Sequence, residues 1–367
     1  MSRKILLIDS SYPINTRNSK ILRSLKQVYP DFDIEIVTWN RENKTIPIEN
    51  NSYVYNKFSP GGLLFRKLWN LKGYYFFIRN INRKIRPDIL IASHWDMLLL
   101  CVLCRMKKQI LIYEDLDIPT ASFKLFLYVI LKIEQICLKY VDIIIFASRF
   151  YLPLYNNAHC TKIILENKPD ACGTKKKDSF TRASKVVSYI GGVRYIEILK
   201  NLVDAVKDNK AISLNIHGDG HDLVALKEYA SEYSNVCFTG YYKQKDIVGL
   251  YQKSDLVWAA YPNLDYNVKY AISNKFHESL HYGVPCVFSE KTKLGELVQK
   301  EQIGLVVNPY NVLAIKNLLN EFFEHPAYAD KIRNTIYQYG AKEVTWEKEF
   351  ESVKVAIDSY LAKNKCI

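Results

Sequence analysis

The sequence predicts an α/β protein made of two doubly wound domains, each with a parallel sheet covered by helices on both faces. Its 367 residues exceed the size at which a single hydrophobic core stops growing. Short apolar runs alternate with helical segments in both halves of the chain. A charged stretch of small residues at 168–185 has the composition of a linker. The predicted domains are therefore residues 1–167 and 186–340, followed by a C-terminal helix at 341–367.

The apolar runs have the length and the β-branched content of buried strands. In the first half they are KILLID, DIEIVTW, DILIAS, QILIYE and DIIIFAS, with helices predicted over 18–28 and 121–140. In the second half they are VVSYIGG, ISLNIHGDG, NVCFTGY, DLVWAAYP, PCVFSE and GLVVNP. Open α/β sheets bind ligands outside the carboxyl ends of their strands, so we expect the functional site in a cleft between the two domains.

The composition indicates a folded protein with reduced thiols. Hydrophobic residues make up 49% of the chain and charged residues 24%, which favours buried cores over disorder. Cys101 and Cys104 form a CxxC without a second pair, and the apolar residues around them predict one buried helix rather than a zinc site. No secretory h-region precedes the strand at Lys4, and no apolar run reaches the roughly 18–20 residues that cross a bilayer. We therefore expect a cytoplasmic location.

The positive charge is concentrated in the first half. Residues 1–170 carry 25 Lys and Arg against 15 Asp and Glu, so +10 of the net +13 lies there. Within it, residues 57–108 hold eleven cations against only Asp88 and Asp96. This imbalance favours an anionic partner surface. No recognised nucleic-acid-binding motif accompanies the charge, so we do not expect a nucleic acid partner.

One segment of this basic region, residues 63–86, is predicted to form an amphipathic helix. It combines seven cations with apolar residues, namely Leu63, Phe65, Leu68, Trp69, Phe76 and Phe77. Such a helix can lie on an anionic bilayer with its aromatic side buried. A helix packed into the core with a solvated basic face explains the pattern equally well.

Two patterns in the second half have the residue types of a nucleotide site. In IHGDGHDL, Gly218, Asp219 and Gly220 follow a strand and precede a helix, where backbone can approach a phosphate or a ribose. An ordinary strand-to-helix turn explains those glycines as well. In SNKFHESLHYGVP, Lys275 and Glu278 lie about one turn apart on one helix face.

The residue types at 275 and 278 suit a nucleoside diphosphate. A carboxylate near the start of a helix can accept both hydroxyls of a ribose, while a lysine and the helix N-terminus favour a diphosphate. Gly283 is the predicted C-cap of this helix. The same spacing also fits a surface ion pair between Lys275 and Glu278 with no ligand.

SNKFHESLHYGVPCVFSE resembles the "PNKlfEymaaGlPvi" signature of family-4-type GT-B glycosyltransferases. Further segments resemble that family in the same order, namely SYIGGVR, LNIHGDG, NVCFTGYYKQKDIVGLYQKSDLVW, ELVQKEQIGLVVNP and VTWEKEF. The similarity covers residues 186–357. It implies a GT-B fold of two Rossmann-like domains, in which the last helix crosses back to the first domain.

The resemblance also implies roles for individual residues. Arg194 and Lys275 would bind the donor diphosphate, and Glu278 the ribose. Tyr241 would lie near the base, although an ordinary loop aromatic explains it equally well. The whole set expected to bind the donor is Gly191, Gly192, Arg194, Gly218, Asp219, Gly220, Tyr241, Asn274, Lys275 and Glu278.

The sequence departs from the family at two positions. Members often carry a glutamate eight positions before the one at 278, where this chain has Tyr270. Sugar contacts are then expected from Asn267, Lys269 or backbone amides of that segment. Members also often place a histidine after a strand of the first domain, but the corresponding segment here is YEDLD, residues 113–117.

The carboxylates of that segment are the candidate catalytic residues. Glu114, Asp115 and Asp117 follow the strand QILIY and are expected to face the cleft, where one could orient or deprotonate an acceptor hydroxyl. An N-cap for the next helix and a metal-binding DxD are the alternatives. GT-B enzymes as a family stabilise the leaving diphosphate with basic residues and a helix dipole, so no metal and no other cofactor are expected.

Two further groups in the first half are expected to line the cleft. His94, at the end of DILIAS, is a second candidate for contact with the acceptor, although a lone histidine at a strand end is more often structural. The loop after the first strand contributes Ser10, Ser11 and Tyr12.

Together these features predict a glycosyltransferase that uses a nucleotide diphosphate donor, most simply a UDP-sugar. The expected acceptor is a lipid-linked glycan of bacterial surface polysaccharide, at the inner face of the cell membrane, and the family implies retention of anomeric configuration. A catalytically inactive partner subunit and a sugar-nucleotide epimerase of the same fold are the alternatives. An NAD-dependent oxidoreductase is disfavoured because no GxGxxG follows KILLID.

Overall fold

The chain divides into two compact units, one formed by residues 1–167 with 346–367 and the other by residues 168–345. The computed structural model describes residues 2–45, 51–59, 64–120, 123–169 and 185–365, and of 64–68 and 364–365 only the backbone. The predicted linker at 168–185 lies mostly outside the described residues. Its first residue, Lys168, is buried and donates to the Glu343 carboxylate and the Val344 carbonyl, both at 2.9 Å.

Strands and helices alternate along both units. The elements up to residue 167 are β1 (Lys4–Ile8), α1 (Thr16–Val28), β2 (Asp33–Asn40), β3 (Ser52–Asn56), α2 (Leu64–Ile85), β4 (Ile89–Ser93), α3 (Trp95–Cys104), β5 (Ile110–Asp115), α4 (Lys124–Cys137), β6 (Ile143–Phe146) and β7 (Thr161–Ile164). The second unit contains β8 (Lys185–Ile190), α5 (Ile196–Val206), β9 (Ile212–His217), α6 (Leu223–Tyr229), β10 (Val236–Gly240), α7 (Ile247–Lys253), β11 (Leu256–Trp258), α8 (Tyr266–Tyr270), α9 (Asn274–Tyr282), β12 (Cys286–Ser289), α10 (Lys293–Glu301), β13 (Leu305–Val307), α11 (Val312–Glu324) and α12 (Pro326–Gly340). The last helix is α13 (Trp346–Lys365).

Both sheets are parallel and doubly wound, which confirms the predicted fold class. The described strands of the first unit have the order β3-β2-β1-β4-β5-β6-β7, and those of the second unit β10-β9-β8-β11-β12-β13. In each sheet the strand order reverses beside the first strand, between β1 and β4 and between β8 and β11. A ligand crevice forms at such a reversal, outside the carboxyl ends of the strands.

The sequence prediction missed two strands, β3 and β7. Both lie at an edge of the first sheet, and β3 has no fully buried residue. An edge strand has a neighbour on one side only and can retain polar side chains, so it lacks the apolar run that identifies an interior strand.

One face of the first sheet is covered by α1 and α13. Alternate strand residues such as Ile5, Ile91 and Ile112 share one buried cluster with side chains from both helices. The α13 helix belongs to this core although it follows the second unit in the sequence. Trp346, at its start, is almost fully buried and donates its indole N–H to Ser24 Oγ at 2.9 Å.

The predicted amphipathic helix is α2, and most of its described apolar side chains pack inward. Tyr74, Ile78, Ile81 and Ile85 are buried, and Phe77 packs on Tyr55 and Tyr74. Trp69 and Phe76 stay exposed, whereas Leu63 and the side chains of Phe65 and Leu68 lie outside the described residues. The buried residues fit the core-packed alternative, while the exposed Trp69 and Phe76 leave bilayer contact a prediction. None of the described helices is long and apolar enough to cross a membrane.

The prediction for Cys101 and Cys104 is confirmed. Both thiols are buried in α3, and the Cys104 thiol lies 3.6 Å from the Cys101 carbonyl oxygen. Burial raises the pKa of the Cys104 thiol to about 11 and that of Cys101 well above its ordinary value. Both groups are therefore held as neutral thiols in the core.

Replacing Trp346 with alanine should lower the free energy of unfolding of the first unit by about 3–5 kcal/mol, because it removes a large buried side chain and leaves a cavity. Val355 lies on the same helix and is 67% exposed. Val355→Ala should therefore change stability by less than about 0.5 kcal/mol. Denaturant unfolding of both full-length variants measures the difference, and equal stabilities would contradict the anchoring role of Trp346.

Candidate donor-binding site

Two glycine-containing loops meet at the carboxyl edge of the second sheet. The loop after β8 and the loop after β9 are joined by hydrogen bonds from the Gly191 N–H to the His217 carbonyl and from the Val193 N–H to the Asp219 carbonyl, both at 2.9 Å. A Cβ atom at Gly218, where φ is +141°, would lie 1.8 Å from the Gly191 carbonyl oxygen. Only glycine permits this approach, so the close packing of the two loops explains the residue choice.

Helix α9 begins beside this edge, and its end signals are those that the sequence indicates. The Ser273 hydroxyl accepts the Lys275 N–H at 3.2 Å, and Gly283 closes the helix in the left-handed conformation with φ of +67°. Phe276 and Leu280 are buried in the core. Their burial fixes the rotation of α9 about its axis. It thereby sets the direction of Lys275, one position before Phe276, and of Glu278, two positions after it.

Those residues, Lys275 and Glu278, form a largely buried ion pair. The Lys275 ammonium lies 2.7 Å from Glu278 Oε2, and the side chains are 9% and 14% exposed. The hydroxyl of the fully buried Tyr251 donates to the same Oε2, also at 2.7 Å. The ion pair of the alternative interpretation is therefore present, but it is largely buried rather than at the surface. Among the described residues no hydrogen bond falls on Glu278 Oε1, so that oxygen is available to a ligand.

The charge of Lys275 is maintained by its neighbours. Burial lowers the pKa of its ammonium, but the Glu278 carboxylate and the Tyr261 and Tyr242 hydroxyls raise it more, and the net effect is a raised pKa. The ammonium therefore stays protonated at neutral pH despite its burial. A fixed cation beside a carboxylate suits a ligand that combines an anion with hydroxyl groups.

Tyrosine side chains connect this pair to the loop after β8. The Tyr189 hydroxyl donates to the Gly192 carbonyl oxygen. Burial raises the pKa of Tyr189, and it interacts electrostatically with Tyr261, Arg194 and Tyr242. Tyr189 therefore interacts both with Arg194 and with the two tyrosines, Tyr261 and Tyr242, that interact with Lys275.

Sequence reasoning did not select these tyrosines, although Tyr251 lies within the segment that resembles the family. Tyr242, rather than the preceding Tyr241, interacts with Lys275 and Glu278. Tyr241 is 77% exposed. The sequence signal that could have identified Tyr242 is the pair of adjacent tyrosines after Gly240. Successive residues of an extended chain point to opposite sides, so one tyrosine of the pair can face the site when the other faces solvent.

Three predicted donor residues, Arg194 and Asp219 in loops and Asn274 at the start of α9, are exposed at the same sheet edge. Arg194 is exposed, and its guanidinium lies 5.0 Å from the centre of the Tyr195 ring. Tyr195 has φ of +68°, a conformation unusual for a tyrosine and often found at ligand sites. Asp219 and Asn274 are also exposed. This edge of the second sheet therefore presents polar and charged groups to solvent.

The segment expected to contact the sugar forms the short helix α8. Tyr270 is half-buried and packs edge-on against Tyr266, with ring centres 5.3 Å apart. Lys269 is exposed above the Tyr270 ring, and Asn267 is half-buried. At the position of the absent family glutamate the chain therefore presents an aromatic ring with a cation over it.

In the first unit, Glu114 does not have the exposure that the sequence prediction requires. Its side chain is fully buried and accepts Arg17 Nε at 2.6 Å and the Ser93 hydroxyl at 3.0 Å. Arg17 Nη2 in turn donates to the Leu165 carbonyl at 2.7 Å. The prediction that Glu114 faces an open cleft is wrong, because this carboxylate neutralises a buried arginine.

Asp115 is also fully buried, contrary to the prediction that it faces the cleft. It lies in a cluster in which the Tyr113 and Tyr155 hydroxyls donate to Glu134 Oε1 at 2.7 and 3.1 Å. Burial raises the pKa of Asp115 well above its ordinary value, and the negative charge of Glu134 adds to the effect. The cluster favours the neutral, protonated acid at Asp115.

The remaining candidates of the first unit are more accessible. Asp117 is exposed, and the next helix begins at Lys124, so the alternative that these carboxylates cap that helix is wrong. His94 is half-buried at the N-cap of α3, with φ of +73°. Ser10, Ser11 and Tyr12 are half-buried, and both the N–H and the hydroxyl of Ser11 donate to Asp9 Oδ1. In the part of the chain that the structure describes, no group of three or more His, Cys, Asp or Glu side chains could hold a metal ion.

Replacing Asp115 with asparagine should stabilise the first unit at neutral pH. Because the folded-state pKa of Asp115 is raised, its contribution to stability is full below the unfolded pKa and is lost as pH rises through the folded value. The increase in the free energy of unfolding caused by Asp115→Asn should therefore be small near pH 3 and larger at pH 7. It should reach about 1.4 kcal/mol for each unit by which the pKa of Asp115 is shifted. Thermal unfolding across pH measures it. The exposed Asp31 is the control, since Asp31→Asn should show no such trend.

Comparisons with known proteins agree with this geometry. Residues 174–343 match the model of the family described as glycosyl transferases group 1. No curated protein matches the chain by sequence. Sucrose-phosphate synthase from Thermosynechococcus elongatus has a similar structure, with a TM-score of 0.74, 14% identity, and coverage of 98% of this chain and 100% of that one.

Two further solved structures are similar over nearly their whole length. HepE from Anabaena, in complex with UDP and glucose, has a TM-score of 0.72 and 14% identity, and the match covers 97% of this chain and 100% of HepE. The lipopolysaccharide outer core galactosyltransferase WaaB has a TM-score of 0.64 and 16% identity, with 97% and 99% covered. The two parallel sheets therefore form a GT-B fold, and residues 174–343 of the chain match the group 1 glycosyltransferase family.

Proposed function

We propose that this protein is a glycosyltransferase that transfers a hexose from a UDP-linked donor to a lipid-linked or glycan acceptor in the assembly of bacterial surface polysaccharide. The observation that carries the proposal is the largely buried arrangement of Lys275, Glu278 and Tyr251 beside the glycine loops. It offers one fixed cation, one carboxylate oxygen without a hydrogen-bond partner among the described residues, and backbone at Gly191 and Gly192 that a phosphate can approach closely. These are the groups that a nucleoside diphosphate requires.

Each donor residue has a distinct role in the proposed reaction. Glu278 Oε1 accepts the ribose hydroxyls, while Lys275 and Arg194 bind the diphosphate. Negative charge develops on the leaving diphosphate during transfer, and cations fixed in place stabilise it without reorganisation. The donor chemistry needs no metal in this arrangement. Retention of the anomeric configuration is part of the proposal and follows from the family alone.

Two similar structures support the choice of donor and acceptor. HepE was solved in complex with UDP and, separately, with UDP-glucose. WaaB is named as a galactosyltransferase of lipopolysaccharide, a lipid-linked glycan. Neither identifies the substrate of this chain at 14–16% identity. They favour UDP over other nucleotides and a glycan acceptor over a small molecule.

For the acceptor we propose that Asp117 or His94 contacts the hydroxyl that is glycosylated. Asp117 is the exposed carboxylate of the YEDLD segment, and His94 has an unusual backbone conformation at a strand end. Glu114 and Asp115 are not part of this proposal, because both are fully buried. We propose further that the basic residues of 57–108 attract the protein to the anionic inner face of the cell membrane, where a lipid-linked acceptor resides.

A second candidate function is nucleotide-sugar epimerisation. A structure described as a putative UDP-N-acetylglucosamine 2-epimerase from Listeria monocytogenes has a TM-score of 0.65 and covers 99% of this chain at 12% identity. An epimerase converts its nucleotide sugar without an acceptor. Product analysis with UDP-sugars alone and with added lipid-linked glycan therefore separates the two. A new nucleotide sugar formed without acceptor would favour the epimerase. Release of UDP that depends on the acceptor would favour the transferase.

Two substitutions test the donor site. Glu278→Gln removes the charged acceptor of the ribose hydroxyls and should weaken UDP binding about 10- to 100-fold, equivalent to about 1.5–3 kcal/mol. Tyr251→Phe keeps the buried ring but removes the hydrogen bond that orients Glu278, and should weaken UDP binding about fivefold. Isothermal titration calorimetry with UDP measures both.

The matched control is Tyr229→Phe. Tyr229 also donates its hydroxyl to a carboxylate of the second unit, at 2.8–2.9 Å from the Asp204 oxygens, but away from α9. UDP affinity should be unchanged in this variant. If Glu278→Gln binds UDP as the unmodified protein does, the assignment of Glu278 to the ribose is wrong.

A further inference from the structure

Helix α4 presents an apolar stripe to solvent, which the exposed Lys132, seven positions after Leu125, interrupts. The stripe consists of Leu125, Tyr128, Val129 and Ile136, whose exposed fractions lie between 43% and 77%. Their spacing of three, four and eleven positions from Leu125 places them on one helix face. The opposite face of α4 is buried through Ile130, Glu134 and Cys137. One face of α4 thus lies in the core, and a second face with several apolar side chains lies in solvent.

This stripe is larger than an incidental apolar exposure. Single exposed hydrophobic side chains are common on protein surfaces, whereas aligned ones mark interaction sites. From Leu125 to Ile136 the stripe extends about 16 Å along the helix at 1.5 Å per residue. Phe123, directly before the helix, adds a further aromatic ring that is 76% exposed.

The charges around the stripe are positive. Lys124 and Lys132 are exposed on α4, and the Lys132 ammonium lies 5.5 Å from the centre of the Tyr128 ring. Among the described residues of α2, α3 and α4, the only acids are Asp96 and Glu134, and both are buried. The exposed part of these helices therefore carries cations without acids.

The neighbouring helices continue this charge pattern. Helix α3 packs against both α2 and α4, so the three helices form one layer of the first unit. On α2 the exposed cations are Lys72, Arg83 and Lys84. The layer combines a basic surface with exposed apolar side chains, namely Trp69 and Phe76 of α2, Leu103 of α3 and the α4 stripe. The α4 stripe lies outside the basic region 57–108.

We propose that the exposed face of α4 docks on an anionic lipid bilayer. The stripe enters the boundary between headgroups and acyl chains, and Lys124 and Lys132 stay at the level of the lipid phosphates. A second copy of this chain fits the face poorly, because pairing two such stripes brings lysines together with no exposed acid of α4 to neutralise them. The inference rests on the proposed membrane attachment and assigns its apolar contact to α4.

Binding of the full-length protein to vesicles tests the inference. We expect cosedimentation with vesicles of phosphatidylcholine mixed with phosphatidylglycerol, and much weaker cosedimentation with phosphatidylcholine alone. The double variant Leu125→Ser/Ile136→Ser should reduce the partition coefficient on the anionic vesicles at least about tenfold, since it removes two aliphatic side chains from the bilayer. Lys124→Gln/Lys132→Gln should reduce it by a similar factor, at roughly 1 kcal/mol per charge.

A matched control uses equally exposed residues of the second unit. Val224 and Leu313 are 68% and 66% exposed, and Val224→Ser/Leu313→Ser should bind vesicles like the unmodified protein. Circular dichroism establishes that each variant is folded. Unchanged vesicle binding in the α4 variants would overturn the inference. So would a dimer in light scattering that only the α4 variants dissociate, which would make a second copy the occupant. UDP affinity is measured in parallel, so a failure of the donor site is seen separately.

Discussion

The parallel pairing of the described strands in both sheets is the constraint on which the rest of the protein depends. A parallel sheet is stable only with both faces covered, so each unit surrounds its strands with helices and buries the interior strands almost completely. It also brings all carboxyl ends to one edge, where loops rather than helices continue the chain. In the second unit that edge collects the glycine loops and the start of α9, so the place of the proposed nucleotide site follows from the topology.

The two units use buried charge at this edge in different ways. In the first unit, the Glu114 carboxylate has both of its oxygens occupied, by Arg17 and by Ser93, and this interaction connects β5 to α1 and β4. In the second unit, Lys275 and Tyr251 share Oε2 of Glu278. A carboxylate held by two donors at one oxygen is oriented without being fully satisfied. Orientation with remaining acceptor capacity is what ligand binding needs.

The interior strands and the ends of α9 were predictable from sequence, because each rests on local physics. A run such as KILLID can only be buried, Ser273 caps a helix through its own hydroxyl, and Gly283 tolerates a positive φ. The edge strands β3 and β7 were not predictable, since each has a neighbouring strand on one side only and lacks the apolar run of an interior strand. The carboxylates after β5 were misjudged because Glu114 and Asp115 look identical to exposed residues until Arg17 and Glu134 are placed beside them.

The sequence by itself determined the fold class, the family resemblance and the pairing of Lys275 with Glu278, because period, caps and spacing along one helix are local properties. Only the tertiary structure decided which groups are buried together. It brought Tyr251 to Glu278 across 27 positions, paired Arg17 with Glu114 across 97, and left one face of α4 in solvent. Burial and the satisfaction of hydrogen bonds depend on contacts between distant segments, and the linear pattern does not contain them.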